Sequence, residues 1–227
     1  MAAPELTARL ERVVAHAADT RSLFLRLAAG ARLAFRPGQF ISCLLPVGGE
    51  TLIRPYSLAS DPEDELLEIC LNRVPGGAAS AHLLGLAVGA TVRLTGPWGT
   101  FVLDRASEAE TVFIADGTAI APIRPMLRRA LATGPHHPLH LLHAADSEPH
   151  LLYRAEIAEL ARAHPILRVT HLASAALRDE VVRRFVDADG DRSRRFFVCG
   201  VGAVVPALRD LLRGAGYERR AVQYEKW

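Results

Sequence analysis

Cysteine is scarce in this chain. The three residues, Cys43, Cys70 and Cys199, stand far apart in 227 positions and form no CxxC arrangement. No iron–sulfur or zinc pattern can be built from them, and an odd count argues against a disulfide framework. An excess of one charge is also lacking: 27 basic and 25 acidic residues leave a formal net charge of +2, too small to point to nucleic acid. No apolar run approaches the roughly 20 residues of a membrane helix. The opening stretch MAAPELTARLERVV carries acidic residues where a signal peptide would be apolar. These absences predict a cytoplasmic protein without a membrane span. There is also no internal repeat and no low-complexity linker. What is abundant is apolar residue, half of the chain against 23% charged, enough to bury the core of one large domain or two modest ones.

The pattern changes once along the chain. Alternation over Thr7–Ala15 and Ser22–Leu27, the apolar run Gln39–Leu45 after the Pro37-Gly38 turn, the segment around Arg54, Leu66–Val74 and Thr91–Thr95 read as six short strands. One helical piece, Ala79–Leu86, interrupts them. Strands of this length between turns predict a small antiparallel barrel or sandwich, taken here as a six-stranded β-barrel over residues 1–106. Near Asp104–Glu110 strands begin to alternate with amphipathic helices: Thr111–Ala115, Leu139–His143, Ile166–Leu172, Phe196–Cys199 and Ala221–Glu225 against Ile120–Leu131, Leu151–Arg162, Leu177–Phe185 and Val204–Arg213. Such alternation predicts a doubly wound α/β domain with a parallel sheet over residues 107–227, binding ligand beyond the carboxyl ends of its strands.

Five stretches carry candidate chemistry. In Ile53–Ser60 a cation, a ring and a hydroxyl fall within four residues. An extended chain points Arg54 and Tyr56 one way and Ser57 the other, and Pro55 confines the segment to an edge or bulge. An arginine fork suits a phosphate, a tyrosine ring a flat ligand, and a serine can donate to a ring nitrogen. Val74–His82 follows a strand and opens a helix; Gly76 and Gly77 permit a tight turn, Ala79 lies in its first turn, and Ser80 can cap. In Asp116–Pro122, Gly117 turns the backbone, Thr118 can bond a pyrophosphate and Pro122 suits a first helical turn, though this is not a GxGxxG fingerprint. Cys199-Gly200 ends a later strand, and Tyr224–Trp227 puts Glu225 and a terminal indole on one face.

The order of these pieces, RxYS, GGxxS, GTxIAP, CG and a terminal ExW, resembles the ferredoxin–NADP reductase superfamily of flavoproteins from Phe35 to Trp227. It is closest to bacterial NAD(P)H-dependent ferredoxin or oxygenase reductases, whose barrels often carry a turn like Gly96–Phe101. The resemblance implies an FAD-binding barrel followed by an NAD(P)-binding domain. Arg54 then holds FAD phosphates, Tyr56 with Pro55 packs on the isoalloxazine, and Ser57 bonds near flavin N5. Gly76, Gly77, Ala79 and Ser80 hold the pyrophosphate, and Gly117, Thr118 and Pro122 shape the nicotinamide-nucleotide site. Cys199 and Gly200 lie by the nicotinamide, and Glu225 and Trp227 near the flavin. Hydride passes from NAD(P)H to flavin, and electrons leave to a separate acceptor: ferredoxin, flavodoxin, an oxygenase component or a small molecule. Two rivals stay open, an FAD-carrying electron-transfer subunit with weakened nucleotide binding and a flavin or ferric reductase.

The chain departs from the family at Asp116, Ala119 and Val201–Val204, where the family often has Gly or Thr, glycine and a proline–methionine segment. Asp146 stands where NADPH-preferring members often carry arginine, which predicts a preference for NADH. His136, His137, His140, His143 and His150 read as a solvated loop with no metal site. Arg124, Arg128 and Arg129, with Arg192, Arg194 and Arg195, read as solvated faces, with docking of an acidic electron carrier as the alternative.

Overall fold

A computed structural model describes residues 4–103, 109–188 and 190–227. Its first sheet has six strands: β1 (Glu5–Ala17), β2 (Thr20–Leu27), β3 (Phe40–Val47), β4 (Glu50–Ser57), β5 (Leu67–Asn72) and β6 (Thr91–Trp98). They pair antiparallel in the order β4-β3-β6-β1-β2-β5. The period-two pattern sorts the side chains: Ile41, Cys43 and Leu45 of β3 turn inward and meet Leu10, Leu23 and Leu94 in the barrel core. The predicted barrel is present, and Pro55 lies on edge strand β4, as its missing N–H requires.

The barrel closes at one end only. Just past β4, Leu58 bridges to Ile69 of β5, and the Ala59 N–H donates to the Glu68 carbonyl at 2.8 Å. Toward Arg54 and Asn72 no ladder joins the two edge strands, and a seam stays open. The short helix α1 (Ala78–Leu84) follows β5 and seats Ala79, Leu83 and Leu84 on the barrel core.

The second sheet is wholly parallel: β7 (Thr111–Asp116), β8 (Leu139–Ala145), β9 (Leu167–Ala173), β10 (Arg195–Gly200) and β11 (Val222–Lys226), in the order β11-β10-β7-β8-β9. Helices α2 (Ile120–Ala132) and α3 (Arg154–Ala163) cover one face, and α4 (Leu177–Phe185) and α5 (Val204–Gly214) the other. The chain winds outward from β7 in both directions, so β7 marks the switch point, where open α/β sheets bind ligands.

The predicted boundary between residues 106 and 107 falls in 104–108, outside the described residues. The two cores are continuous across it: Ala59, Cys70 and Phe101 pack in one cluster with Phe113, Ala119 and Met126. Helix α3 begins three residues later than expected. Tyr153 just ahead of it has a left-handed backbone (φ +56°), alone among the described non-glycine residues. That conformation costs an L-residue about 1–2 kcal/mol, and Tyr153 offsets it through the contacts described below.

Candidate active site

The open seam of the barrel faces the carboxyl ends of β7, β10 and β11, and a cleft of about 550 Å³ lies between them. Leu52, Arg54, Tyr56 and Ser57 form one wall and Cys70, Asn72 and Arg73 the opposite one. Gly77 to Ser80 close one end, and Thr118, Ala119, Val201 and Trp227 come from the second domain. The volume lies within the roughly 300–1,000 Å³ of cofactor pockets, and the walls are mostly apolar with a few polar groups. The cations are placed for an anion. Arg54, on edge strand β4, and Arg73, just past the end of β5, stand exposed and enter no ion pair among the described residues. Arg54 Nη1 donates only to its neighbour's carbonyl, Ile53 O, at 2.8 Å. Tyr56 packs against the barrel core and lines the cleft, and burial pushes its phenol up to about 12, so it stays neutral.

The glycine turn works differently from a simple cap. Ser80 lies inside α1, where its Oγ accepts from the Val74 N–H at 3.0 Å and donates to the Gly77 carbonyl at 3.0 Å. The hydroxyl therefore fastens the Val74–Gly77 turn. A Cβ on Gly77 would stand 2.8 Å from Val74 Cβ. With that turn held, the Ala78, Ala79 and Ser80 amides precede the first intrahelical bond, Ala81 N–H to Gly77 O at 3.1 Å. Gly76 takes the left-handed φ of +69° that the turn needs. In the second domain Gly117 (φ +60°) opens a short 3-10 turn, and Thr118, Ala119 and Ala121 reach the cleft. Pro122 does not; it is buried in the first turn of α2.

Of the four residues expected to take part in the chemistry, Ser57 and Trp227 line the cleft, and Cys199 and Glu225 do not. Cys199 is 1% exposed, and burial holds its thiol well above the ordinary range, so it is inert packing against the indole. Gly200 is also excluded from the cleft; a Cβ there would come within 2.7 Å of Val204 Cγ1, so its role is to admit α5. Trp227 is tied down by its N–H to the Gly200 carbonyl at 3.1 Å and by edge-on contact with Phe40, ring centroids 5.6 Å apart.

Glu225 pairs in register with Cys199 beneath the Gly99 turn, and its Oε2 is buried without a hydrogen-bond partner. Burial pushes the carboxyl up from 4.5 to about 7, so near neutral pH it can hold a proton on that oxygen. The folded state keeps this proton where the unfolded chain has lost it. Stability is therefore expected to fall as pH rises from 4.5 through 7. Glu225→Gln should remove this dependence: urea unfolding of the flavin-free proteins should show equal stability near pH 4.5 and a variant ahead by roughly 3 kcal/mol at pH 8. Parallel pH profiles for the two proteins would refute the assignment.

A second cavity of about 330 Å³ continues past Gly117 and Thr118, lined also by Asp19, Asp116, Asp146, His150 and Ser174. Asp116 accepts from Ser174 Oγ at 2.6 Å, and burial, with the charge of Asp146, raises its carboxyl.

Arg129, His136 and His137 are exposed as expected, but the solvated readings of other arginines and histidines need correction. Arg124 is 9% exposed and paired to Glu68 and Glu156; Arg128 bonds Asp61 at 2.7 Å and Glu156; Arg194 is 8% exposed and paired to Glu110. His140 and His143 are buried within β8, His140 against Glu110 at 2.8 Å, and burial lowers the His143 imidazole to about 3. His150 bonds Asp19 across the domains at 2.8 Å. Arg73, Asn72 and Val201 carried no recognisable motif, although Arg73 directly precedes the glycine turn.

An antiparallel barrel whose seam meets the switch point of a parallel sheet defines a two-domain flavin and dinucleotide oxidoreductase. Residues 7–103 match the oxidoreductase FAD-binding domain family and residues 113–210 the oxidoreductase NAD-binding domain family. Ferredoxin–NADP reductase B of Sorangium cellulosum is 34% identical over 97% of this chain and 96% of its own length. The reductase component of the naphthalene 1,2-dioxygenase/salicylate 5-hydroxylase systems of a Ralstonia species is 32% identical over 87% of this chain. The chain spans 61% of that relative and 52% of the reductase subunit of an Amycolatopsis aromatic O-demethylase. The crystal structure of an Amycolatopsis cytochrome P450 reductase superposes with a TM-score of 0.87 and 33% identity, over 98% of this chain and 69% of that one. The chain belongs to the ferredoxin–NADP reductase family, and it is an NAD(P)H-dependent flavoprotein reductase. No helix among the described residues is long and apolar enough to cross a membrane.

Proposed function

We propose that this protein oxidises NADH in the cytoplasm and delivers the electrons to a separate carrier, a ferredoxin, a flavodoxin or an oxygenase component. The observation that carries the reading is the single cleft that joins the barrel's open seam to the ends of β7, β10 and β11. When bound, FAD and NAD(P)H supply the redox chemistry, hydride passing from nicotinamide to flavin. The chain supplies geometry and charge. Arg54 and Arg73 take the FAD phosphates from two sides, and the amides after Gly77 add donors that Ser80 holds in place. Tyr56 would pack its ring against the flavin, Ser57 would donate at the ring edge, and Trp227 would close the cleft from the second domain. Glu225 keeps a proton close behind the indole. Gly117 and Thr118 receive the nicotinamide nucleotide. The relatives named for ferredoxin and for dioxygenase systems support a protein carrier.

NADH is preferred because three carboxylates, Asp19, Asp116 and Asp146, and no arginine or lysine line the second cavity. A 2′-phosphate held about 4 Å from one of these charges is disfavoured by about 1 kcal/mol in bulk water and by about 4 kcal/mol at the dielectric of a protein surface. Anaerobic titration with each coenzyme, followed by steady-state rates, tests both parts. NADH should bleach the flavin absorbance, with kcat/KM at least about tenfold above that for NADPH, and Asp146→Ala should narrow the ratio. No bleaching by either coenzyme would refute the reductase reading, and a ratio favouring NADPH would refute the preference.

A further inference from the structure

A buried ionic knot joins the two domains beneath the cleft, outside every role assigned above. Arg124 lies one turn into α2, just beyond the Gly117–Ala119 turn. Its Nη1 donates to Glu68 Oε2 at 2.6 Å and to the Ala59 carbonyl at 2.8 Å, while Nε and Nη2 hold Glu156 at 2.9 and 2.8 Å. Glu68, 3% exposed on β5, accepts on Oε1 from Ser22 at 2.6 Å and from Tyr153 at 2.8 Å. The strained Tyr153 also lays its ring on the guanidinium, 4.3 Å from Arg124 Cζ.

The knot is close to both halves of the chemistry. On the barrel side it grips Ala59, two residues past Ser57, and Glu68, two residues before the cleft-lining Cys70. On the other side it grips the helix whose N-terminal turn receives the dinucleotide. The apolar surface between the domains includes the small residues Ala59, Cys70 and Ala119. Such a surface can slide, because dispersion contacts have no direction. A buried ion pair adds little stability over apolar packing but admits one geometry.

We propose that Arg124 is a positioning residue for hydride transfer: by joining Glu68 and Ala59 to Glu156, it sets the depth and angle at which the nicotinamide domain meets the flavin domain. This rests on the reductase reading, and the wild-type protein reports on that reading separately. The test uses Arg124→Met together with Glu68→Gln/Arg124→Met, the second of which leaves no unpaired charge on Glu68, and Arg124→Lys as the conservative exchange.

In the flavin-free proteins, residual dipolar couplings should give one alignment tensor for both wild-type domains and two distinct tensors for the double variant. With FAD bound, the double variant should retain full flavin. Its nicotinamide dissociation constant should stay within about threefold of wild type, while flavin reduction by NADH in anaerobic stopped flow slows by roughly 30- to 100-fold, the scale of a misplacement of about 1 Å. Arg124→Lys, which keeps the charge but cannot span three acceptors, should fall between. A double variant that reduces its flavin within twofold of wild type would overturn the proposal. So would one that unfolds or loses FAD, since the knot would then be a stability element. Failure of wild-type protein to bleach with NADH would refute the reductase reading itself.

Discussion

Arg54→Ala protein is expected to leave purification with little of its yellow colour. Arginines such as 124, 128 and 194 are committed to carboxylates within the fold, whereas Arg54 stands exposed on the cleft wall with only the Ile53 carbonyl as its partner. Its removal should not disturb the barrel, since β4 is an edge strand and the side chain packs against no core. What is lost is a charge-assisted bond to phosphate, about 1.5–3 kcal/mol, or roughly 10- to 150-fold in the FAD dissociation constant. Calorimetric titration of flavin-free protein measures this directly, and the melting temperature without FAD should match wild type. Arg73→Ala should weaken FAD in the same direction, because Arg73, just past the end of β5, lines the same cleft from the opposite wall. Full flavin content and an unchanged dissociation constant in Arg54→Ala would show that the phosphates lie elsewhere.

The largest expected loss of stability follows from a single methyl group. Gly38 has φ +100°, and a Cβ there would lie 2.0 Å from the Phe101 carbonyl oxygen and 2.1 Å from Met126 Cε. The methionine end can swing away; the backbone carbonyl cannot. Left-handed strain of about 1–2 kcal/mol adds to overpacking of about 1–3 kcal/mol. Gly38→Ala should therefore cost about 4 kcal/mol, or roughly 8–16 °C in melting temperature for a chain of this size. Gly30→Ala is the control, with a similar positive φ of +68° but nothing within 4 Å of the added carbon. It should lose only the strain, about 1–2 kcal/mol. Equal melting of the two variants would show that the Gly38 turn relaxes freely. Because Gly38 lies between Phe101, just past β6, and Met126 of α2, the weaker fold should also loosen the domain contact.

Both domains were legible in the residues because both depend on local periodicity. A period of two over β3 and β6 and the βα alternation after Thr111 reflect which side of each element meets apolar matter. The cleft wall of β4 was legible for a related reason: Arg54, Pro55, Tyr56 and Ser57 line the cleft from one edge strand, so their spacing in sequence is their spacing in the cleft. The glycine turns were legible as turns, but the use of Ser80 was not, since its partners Val74 and Gly77 become neighbours only when the turn folds.

The misreadings share one cause. Arg124 and Arg128 look like a solvated helix face because their carboxylate partners, Glu68, Asp61 and Glu156, lie dozens of residues away and two come from the other domain. His140 and His143 look like members of a histidine-rich loop until β8 places them inside a parallel sheet. The resemblance puts Cys199 by the nicotinamide and Glu225 near the flavin, yet neither lines the cleft, and Trp227 and the Gly99 turn lie against them.

By itself the sequence determined the order of elements, the two domains and the residues of β4 that line the cleft, because each is a matter of neighbours along the chain. Only the tertiary structure decided how the domains meet, where the barrel stays open and which charges are buried. Those depend on contacts between residues far apart in sequence, and a local pattern does not encode the partner of a charge.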